Sequence, residues 1–344
     1  MSIFAYRIAK SEHGLVIIKS MNNQLQDNLI SIIRERVPKE QNLATYLADK
    51  LVLGRESVYR RLRGEIYFTF DEIATLSLDL GFSIDNIVGA KKTENALFNI
   101  HMLQSDNPDD IYVNKILEYG KMFRAMSEKP NAKARVSINT LPYYFHIMYE
   151  HLSRFRIYKW LHQNQKIAAN EKFASFKLPE KVLEAHRIFN QDIQKLPDIT
   201  IIMDNNIFWS AAKDIEYFLK RGLLSDECVE VLKGELLDIV DNLEKMATDG
   251  VSKSGAEVSL YSSSVDLEAS YLHFECDDWS FAQVRVFSIS AIDSYDERLC
   301  QIQKDWIDSL KKYSVLISGS GEIQRFEYMN KQRGYINKVP NLDP

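Results

Sequence analysis

Apolar residues recur at three- and four-residue intervals through the first quarter of the chain. Leu25, Leu29, Ile32 and Ile33 mark one amphipathic helix, closed by Pro38. Leu43, Leu47, Ala48 and Leu51 mark a second, and Val58 and Leu62 a third. Thr69, with Glu72 three positions on, reads as a capping box that opens a fourth helix carrying Ile73, Leu76 and Leu80; Gly81 ends it. Ser83 heads a fifth short turn with Ile84 and Ile87. The pattern predicts a compact five-helix unit over residues 21–90, preceded by a flexible tail at 1–20.

Residues 91–110 are polar and read as a linker. From 111 to 250 the period is again helical, interrupted by Pro130, Pro142, Pro179 and Pro197, with a long helix from Ser225 to Ala247. After Gly250 the period becomes two: Val258–Ser264, Ser270–Glu275 and Phe281–Ile289 alternate and are rich in Val, Tyr, Phe and Ser, as strands are. A helix near Asp296–Lys312, a short apolar run Val315–Ile317 and a last helix near Glu322–Tyr335 follow. The fold class expected is mainly α. It comprises an N-terminal five-helix domain, a helical dimerisation or regulatory region over 111–250, and an α+β regulatory region over 251–344 with a small antiparallel sheet.

Composition narrows the class further. At 344 residues, 45% hydrophobic and 26% charged, the chain reads as an ordinary globular protein of two or three domains. No apolar run approaches the ~18–20 residues that cross a bilayer. Leu15–Ile18 is too short, and no small-residue cleavage site follows it. Cys228, Cys276 and Cys300 are odd in number and widely spaced, against both a disulfide framework and a zinc module. The expectation is a cytoplasmic protein with no structural metal and no cofactor. The net charge of −5 counts against nucleic acid, but Lys50, Arg55, Arg60, Arg61 and Arg63 face a single acid, Glu56, between positions 50 and 63.

A helix that reads DNA must be held across a partner helix, with its first turn free to reach base edges. Ala48 supplies the small crossing residue, Leu47, Leu51, Val58 and Leu62 the inner face, and Arg55, Glu56, Ser57, Tyr59 and Arg60 point outward. The stretch from Leu47 to Glu65, continued by Thr69–Ala74 and Gly81–Ile87, resembles the lambda-repressor/Cro-like helix-turn-helix family over about seventy residues. The resemblance implies a bacterial transcription regulator whose recognition helix is Arg55–Arg63. Arg55, Glu56, Ser57, Tyr59 and Arg60 would read bases, and Thr45, Lys50, Arg61 and Arg63 would contact phosphates. A one-domain reader has a small footprint, which implies a homodimer on a two-fold operator in double-stranded DNA. Two positions depart from the family: Val52 stands where a turn glycine is common, and Arg61 where an apolar residue is usual. Residues 91–344 resemble the long C-terminal regions of helix-turn-helix proteins from Bacteroidota, in the runs Tyr295–Cys300 and Leu316–Glu322, with no effector assigned to them.

Other constellations carry less. His146 and His151 are five residues apart and so point to different helix faces, unlike a zinc helix. The aromatics of residues 143–160 fit a core or dimer interface better than a ligand pocket. Ser318–Glu322 lacks the Gly-Lys-Ser/Thr ending of a phosphate loop and reads as a strand-to-helix turn. No serine, cysteine or histidine has the neighbours of a nucleophile, so an enzyme is not expected. The alternative to a DNA-binding regulator is an adaptor whose larger regions bind a protein partner. An effector, if one exists, is not identified by the sequence.

Overall fold

The structure, a computed structural model, describes residues 25–34, 36–37, 41–82, 84, 98–100 and 108–342, apart from 130, 194, 195, 197, 278, 288 and 289. The chain divides into two units, Met1–Leu97 and Phe98–Pro344. In the first, residues 25–34 (α1), Leu43–Leu51 (α2), Arg55–Leu62 (α3) and Phe70–Leu80 (α4) are helical. Side chains satisfy the orphan amides at two helix starts. Asn42 Oδ1 accepts from the Thr45 amide at 3.1 Å, and Thr69 and Glu72 form the reciprocal capping box. Gly81, at φ 69°, ends α4 in the left-handed conformation that a residue without Cβ adopts freely. Leu29, Ile33, Leu47, Val58, Phe68 and Leu76 form the core between these helices.

The five-helix domain is therefore corrected to four helices among the described residues. The fifth turn expected over 83–87 falls almost wholly outside them, as do the tail at 1–20 and most of the linker expected at 91–110.

The second unit departs further from expectation. Its strands are β1 (Asn99–Ile100), β2 (Lys133–Ile138), β3 (Asp198–Met203), β4 (Glu257–Ser263), β5 (Tyr271–Cys276), β6 (Trp279–Phe287), β7 (Ser290–Ser294) and β8 (Ser314–Leu316). They form one mixed sheet in the order β1-β7-β6-β5-β2-β3-β4-β8. β2, β3 and β4 are parallel neighbours, with Ala134 beside Ile199 and Ile199 beside Val258; the remaining pairs are antiparallel. The small antiparallel sheet and the helical middle region are thus both overturned, since β2 and β3 lie within residues 111–250 and pair with β5 and β4. The reason is physical. A parallel strand covered on both faces loses its polar alternation, and a run such as Ile199, Thr200, Ile201, Ile202, Met203 reads equally as part of a buried helix.

The helices of this unit are α5 (Pro108–Ser127), α6 (Tyr143–Ile147), α7 (Glu150–Gln163), α8 (Glu180–Ile193), α9 (Ile207–Lys220), α10 (Asp226–Asp249), α11 (Glu297–Leu310) and α12 (Glu322–Asn337). Two hydrophobic clusters lie on the sheet face that carries Ala134, Val136, Ile201 and Phe274. One brings in α7, α9, α10 and α12, the other α5 and α8. The opposite face is covered by α11: Ile307 and Leu310 pack near Ile202, and Gln303 donates to the carbonyls of Leu272 (2.7 Å) and Gln283 (3.2 Å).

Buried polar groups tie the layers together. Glu235 of α10 reaches the start of α7, where its carboxylate accepts from the amides of His151 (3.2 Å) and Leu152 (2.7 Å) and caps a helix whose own N-cap, Tyr149, supplies no side-chain capping bond. The turn after β3 is held from α12: Gln332 donates to the Asn205 carbonyl and Tyr328 to the Asp204 carbonyl, both at 2.9 Å. Gly321 opens α12 at φ 75°, where a Cβ would stand 2.5 Å from the Leu316 carbonyl oxygen; the Ser-Gly-Ser-Gly run is thus a close-packed turn. Gly120 on α5 admits Asp192 of α8, which receives Arg124 at 2.8 Å.

His186 and His273 are buried, and desolvation pushes each down to about 4. Both ordinarily titrate near ~6.5. The unfolded chain therefore binds protons between those values that the folded chain refuses, so stability is full above the unfolded value and falls as pH drops toward the folded one. Each unit of separation is worth ~1.4 kcal/mol per group. Urea unfolding of the full chain should accordingly show a midpoint that decreases from pH 7 to pH 4, with a smaller decrease in His186→Gln; a midpoint flat over that interval would contradict the assignment.

Candidate nucleic-acid interface

α2 and α3 meet through Leu47 and Val58, both fully buried, with Ala48 and Leu62 partly buried beside them. The turn between them hinges on Val52, at φ 53° and ψ 45°, with its side chain in solvent. Its amide, and that of Leu53 at 3.0 Å, donate to the Ala48 carbonyl. A β-branched residue in this left-handed conformation stores ~1–2 kcal/mol.

Of the residues expected to read bases, Arg55, Glu56, Tyr59 and Arg60 are exposed and Ser57 is partly so. Val58 and Arg61 turn inward. Thr45 is half-buried, and its hydroxyl sits 3.4 Å from Asn42 Oδ1. Arg61 was expected at a phosphate, and its placement corrects that. Its guanidinium is buried and forked onto Glu72, Nε to Oε2 at 2.9 Å and Nη2 to Oε1 at 2.8 Å, and it donates to the Ser57 carbonyl at 3.2 Å. Glu72 also accepts from the Thr69 amide at 2.9 Å, so one carboxylate both caps α4 and anchors α3. Gln26 closes the other end, donating to the carbonyls of Arg61 and Ile66, each at 3.2 Å. The partnership with Glu72 explains a charged residue at a usually apolar position. Sequence spacing gives the capping box but not this second use of it.

Lys50, Arg60 and Arg63 are paired at the surface. Arg63 meets Glu65 at 2.6 Å and Glu56 at 3.4 Å, and Arg60 meets Glu65 at 3.4 Å. Lys50 bonds Asp79, which also takes the Tyr46 hydroxyl; Lys50 first and Tyr46 second hold the Asp79 carboxyl below its ordinary range. Exposed pairs of this kind contribute little to stability and exchange readily for another anion. Arg55 has no carboxylate within ion-pair distance among the described residues.

In the second unit a cavity of about 600 Å³ opens at the seam between the two hydrophobic clusters. Val136, Ile201 and Phe274 floor it from the sheet, and Gln283 and Arg285 share its lining with Phe281 two and four residues earlier on β6. Spacing of two from Phe281 signals this inward pair in the sequence, though nothing there predicts the cavity. His146 and His151 do not meet: His146 Nδ1 lies 3.0 Å from the Pro142 carbonyl oxygen, His151 Nδ1 2.8 Å from Glu235. Among the described residues no cluster of His, Cys, Asp or Glu is arranged to hold a metal ion, and no helix is long and apolar enough to cross a membrane. No protein-family model, curated protein or solved structure matches the chain.

Two substitutions test this geometry in the full chain. Val52→Gly relieves the strained turn while adding freedom to the unfolded chain, and should raise stability by about 0.5–1 kcal/mol. Hydrogen exchange of peptides covering 43–62 would show it as slower opening. Arg61→Ala strands Glu72 and should destabilise the unit by about 1–3 kcal/mol, again read by exchange. A loss of DNA affinity in Arg61→Ala with exchange unchanged would return Arg61 to the phosphate role.

Proposed function

We propose that the N-terminal unit binds double-stranded DNA with α3 in the major groove, and that the chain is a sequence-specific transcription regulator working as a homodimer. The observation that carries this reading is the division of α3 into two faces. Val58 and Arg61 lock it to α2 and α4, while Arg55, Glu56, Tyr59 and Arg60 stand clear in solvent.

Arg55 leads the helix, where a recognition helix approaches base edges, and it is not tied to a carboxylate among the described residues. An arginine in that place offers two donors to guanine O6 and N7. Arg63 and Lys50 flank the helix as exposed cations whose partners a phosphate can displace, and such contacts hold register without reading sequence. The two-fold arrangement follows from footprint: one helix covers few base pairs, and a pair of half-sites about one helical turn apart gives a genome-usable specificity.

Fragments selected from genomic DNA by the purified full chain supply the operator, and fluorescence anisotropy across a salt series then separates the roles. Arg55→Ala should cost ~1–3 kcal/mol on that operator and relax base choice at one position. Arg63→Ala should weaken operator and random duplex alike and reduce the salt slope by about one. Identical behaviour of the two variants would contradict the division of roles. Absence of salt-dependent binding to any duplex would favour a protein-binding adaptor instead.

A further inference from the structure

The cavity in the second unit is unlike an ordinary packing defect. Its volume of about 600 Å³ is roughly four times that of a ~150 Å³ apolar cavity that already takes up benzene. It falls within the range of pockets for small organic ligands. Most of its lining is hydrocarbon and aromatic ring, drawn from the sheet floor and from α5, α6, α8 and α10. Water gains few hydrogen bonds from such walls, whereas an apolar molecule matches them.

The charged side chains that line it are unbalanced. Lys115, Lys245, Lys253 and Arg285 face one acid, Asp249, in a chain that is acidic overall. Lys115 already pairs with Glu118 at 3.0 Å, and Lys245 and Lys253 are exposed. Arg285 is different. It projects from β6 toward the loop that leaves β2, and among the described residues its guanidinium donates only to neutral oxygens. These are Ser270 Oγ at 3.2 Å, Asn139 Oδ1 at 3.4 Å, the Leu141 carbonyl at 3.5 Å, and the Thr140 hydroxyl. No carboxylate lies within ion-pair distance of it among the described residues. Burial first, and the nearby charge of Arg156 second, pull its pKa down to about 10. A guanidinium withdrawn from water against a second positive charge gains most from an anion, and its planar fork matches a carboxylate in two parallel bonds.

We propose that this cavity binds an apolar carboxylic acid of the long-chain fatty-acid class, with the carboxylate on Arg285 and the hydrocarbon laid along the sheet face between α5 and α10. The polar end lies where β2 ends, which accords with the general placement of ligands outside the carboxyl ends of parallel strands. The site stands on the 98–344 unit and is independent of DNA reading.

The test uses the full chain and a naturally fluorescent polyene fatty acid as probe, displaced by oleate or by oleyl alcohol. The expected result is saturable uptake of one probe per chain, with oleate displacing it at about tenfold or more lower concentration than the alcohol, the preference a charge-assisted bond gives. Arg285→Gln should erase that preference while leaving the alcohol unchanged, and Arg285→Lys should retain part of it; thermal unfolding of both confirms that they fold. Failure to take up the probe would overturn the proposal. So would equal displacement by acid and alcohol in the unaltered protein, a measurement that needs no variant, or an undiminished preference in folded Arg285→Gln.

Discussion

Parallel pairing of β2 with β3, and of β3 with β4, is the constraint from which the larger unit follows. Parallel neighbours cannot be joined by a tight turn, so each connection must travel the length of the sheet and return. The first connection carries α6, α7 and α8, the second α9 and α10, and side chains from both enter the clusters on the face that holds Val136 and Ile201. On the other face, among the described residues, α11 is the helix that packs. The two clusters share Tyr144, Ile199 and Leu272 at their boundary, and the cavity opens along that boundary. It is a consequence of two helix groups converging on one row of small and branched side chains. Filling it from within would need larger residues at Ala134 or Val136, whose facing strands set the spacing.

The smaller unit depends on a different economy. Its core holds ten buried apolar side chains among the described residues, and at this size each ordered contact is a large share of the stability. Glu72 therefore serves three partners at once: the Thr69 amide, Arg61 Nε and Arg61 Nη2. The fork fixes the rotation of α3 about its own axis, which decides which of its side chains reach outward. Val52 works against this, since the left-handed turn it occupies favours glycine. A strained turn beside a candidate interface is where local sequence preference and function most often disagree.

Legibility in the sequence followed the strength of the local signal. The capping box at Thr69 and Glu72, the αL stop at Gly81 and the positions of Leu43–Leu51 and Asp226–Asp249 were readable because each rests on residues within one or two turns. The strained conformation at Val52 was readable as a conflict between its side chain and the turn. β2 and β3 were not readable, because burial on both faces removes the alternation that separates a strand from a helix, and Pro130 and Pro197 beside them read as breaks between helices. The eight-stranded order was beyond reach as well, since two of its pairings, β1 with β7 and β2 with β5, join residues more than a hundred positions apart. Arg61 was misplaced because its partner lies on another helix. The cavity has no local signature beyond the polar pair Gln283 and Arg285, at the parity of Trp279 and Phe281 on β6.

What separates the arginines is the solvent each has lost and what replaced it. Arg61 is buried and has exchanged water for a carboxylate in two parallel bonds, so its charge is spent within the fold. Arg60 and Arg63 keep most of their water and hold glutamates loosely, and a stronger anion can take their place at little cost. Arg55 keeps its water and pairs with no carboxylate among the described residues. Arg285 has lost much of its water and received only neutral oxygens in return. Coulomb attraction grows as the surrounding medium becomes less polar. A given anion is therefore attracted more strongly at Arg285 than at the exposed arginines, and least at Arg61, where a carboxylate already sits. The ordering comes from burial and partners together, which no count of basic residues along the chain contains.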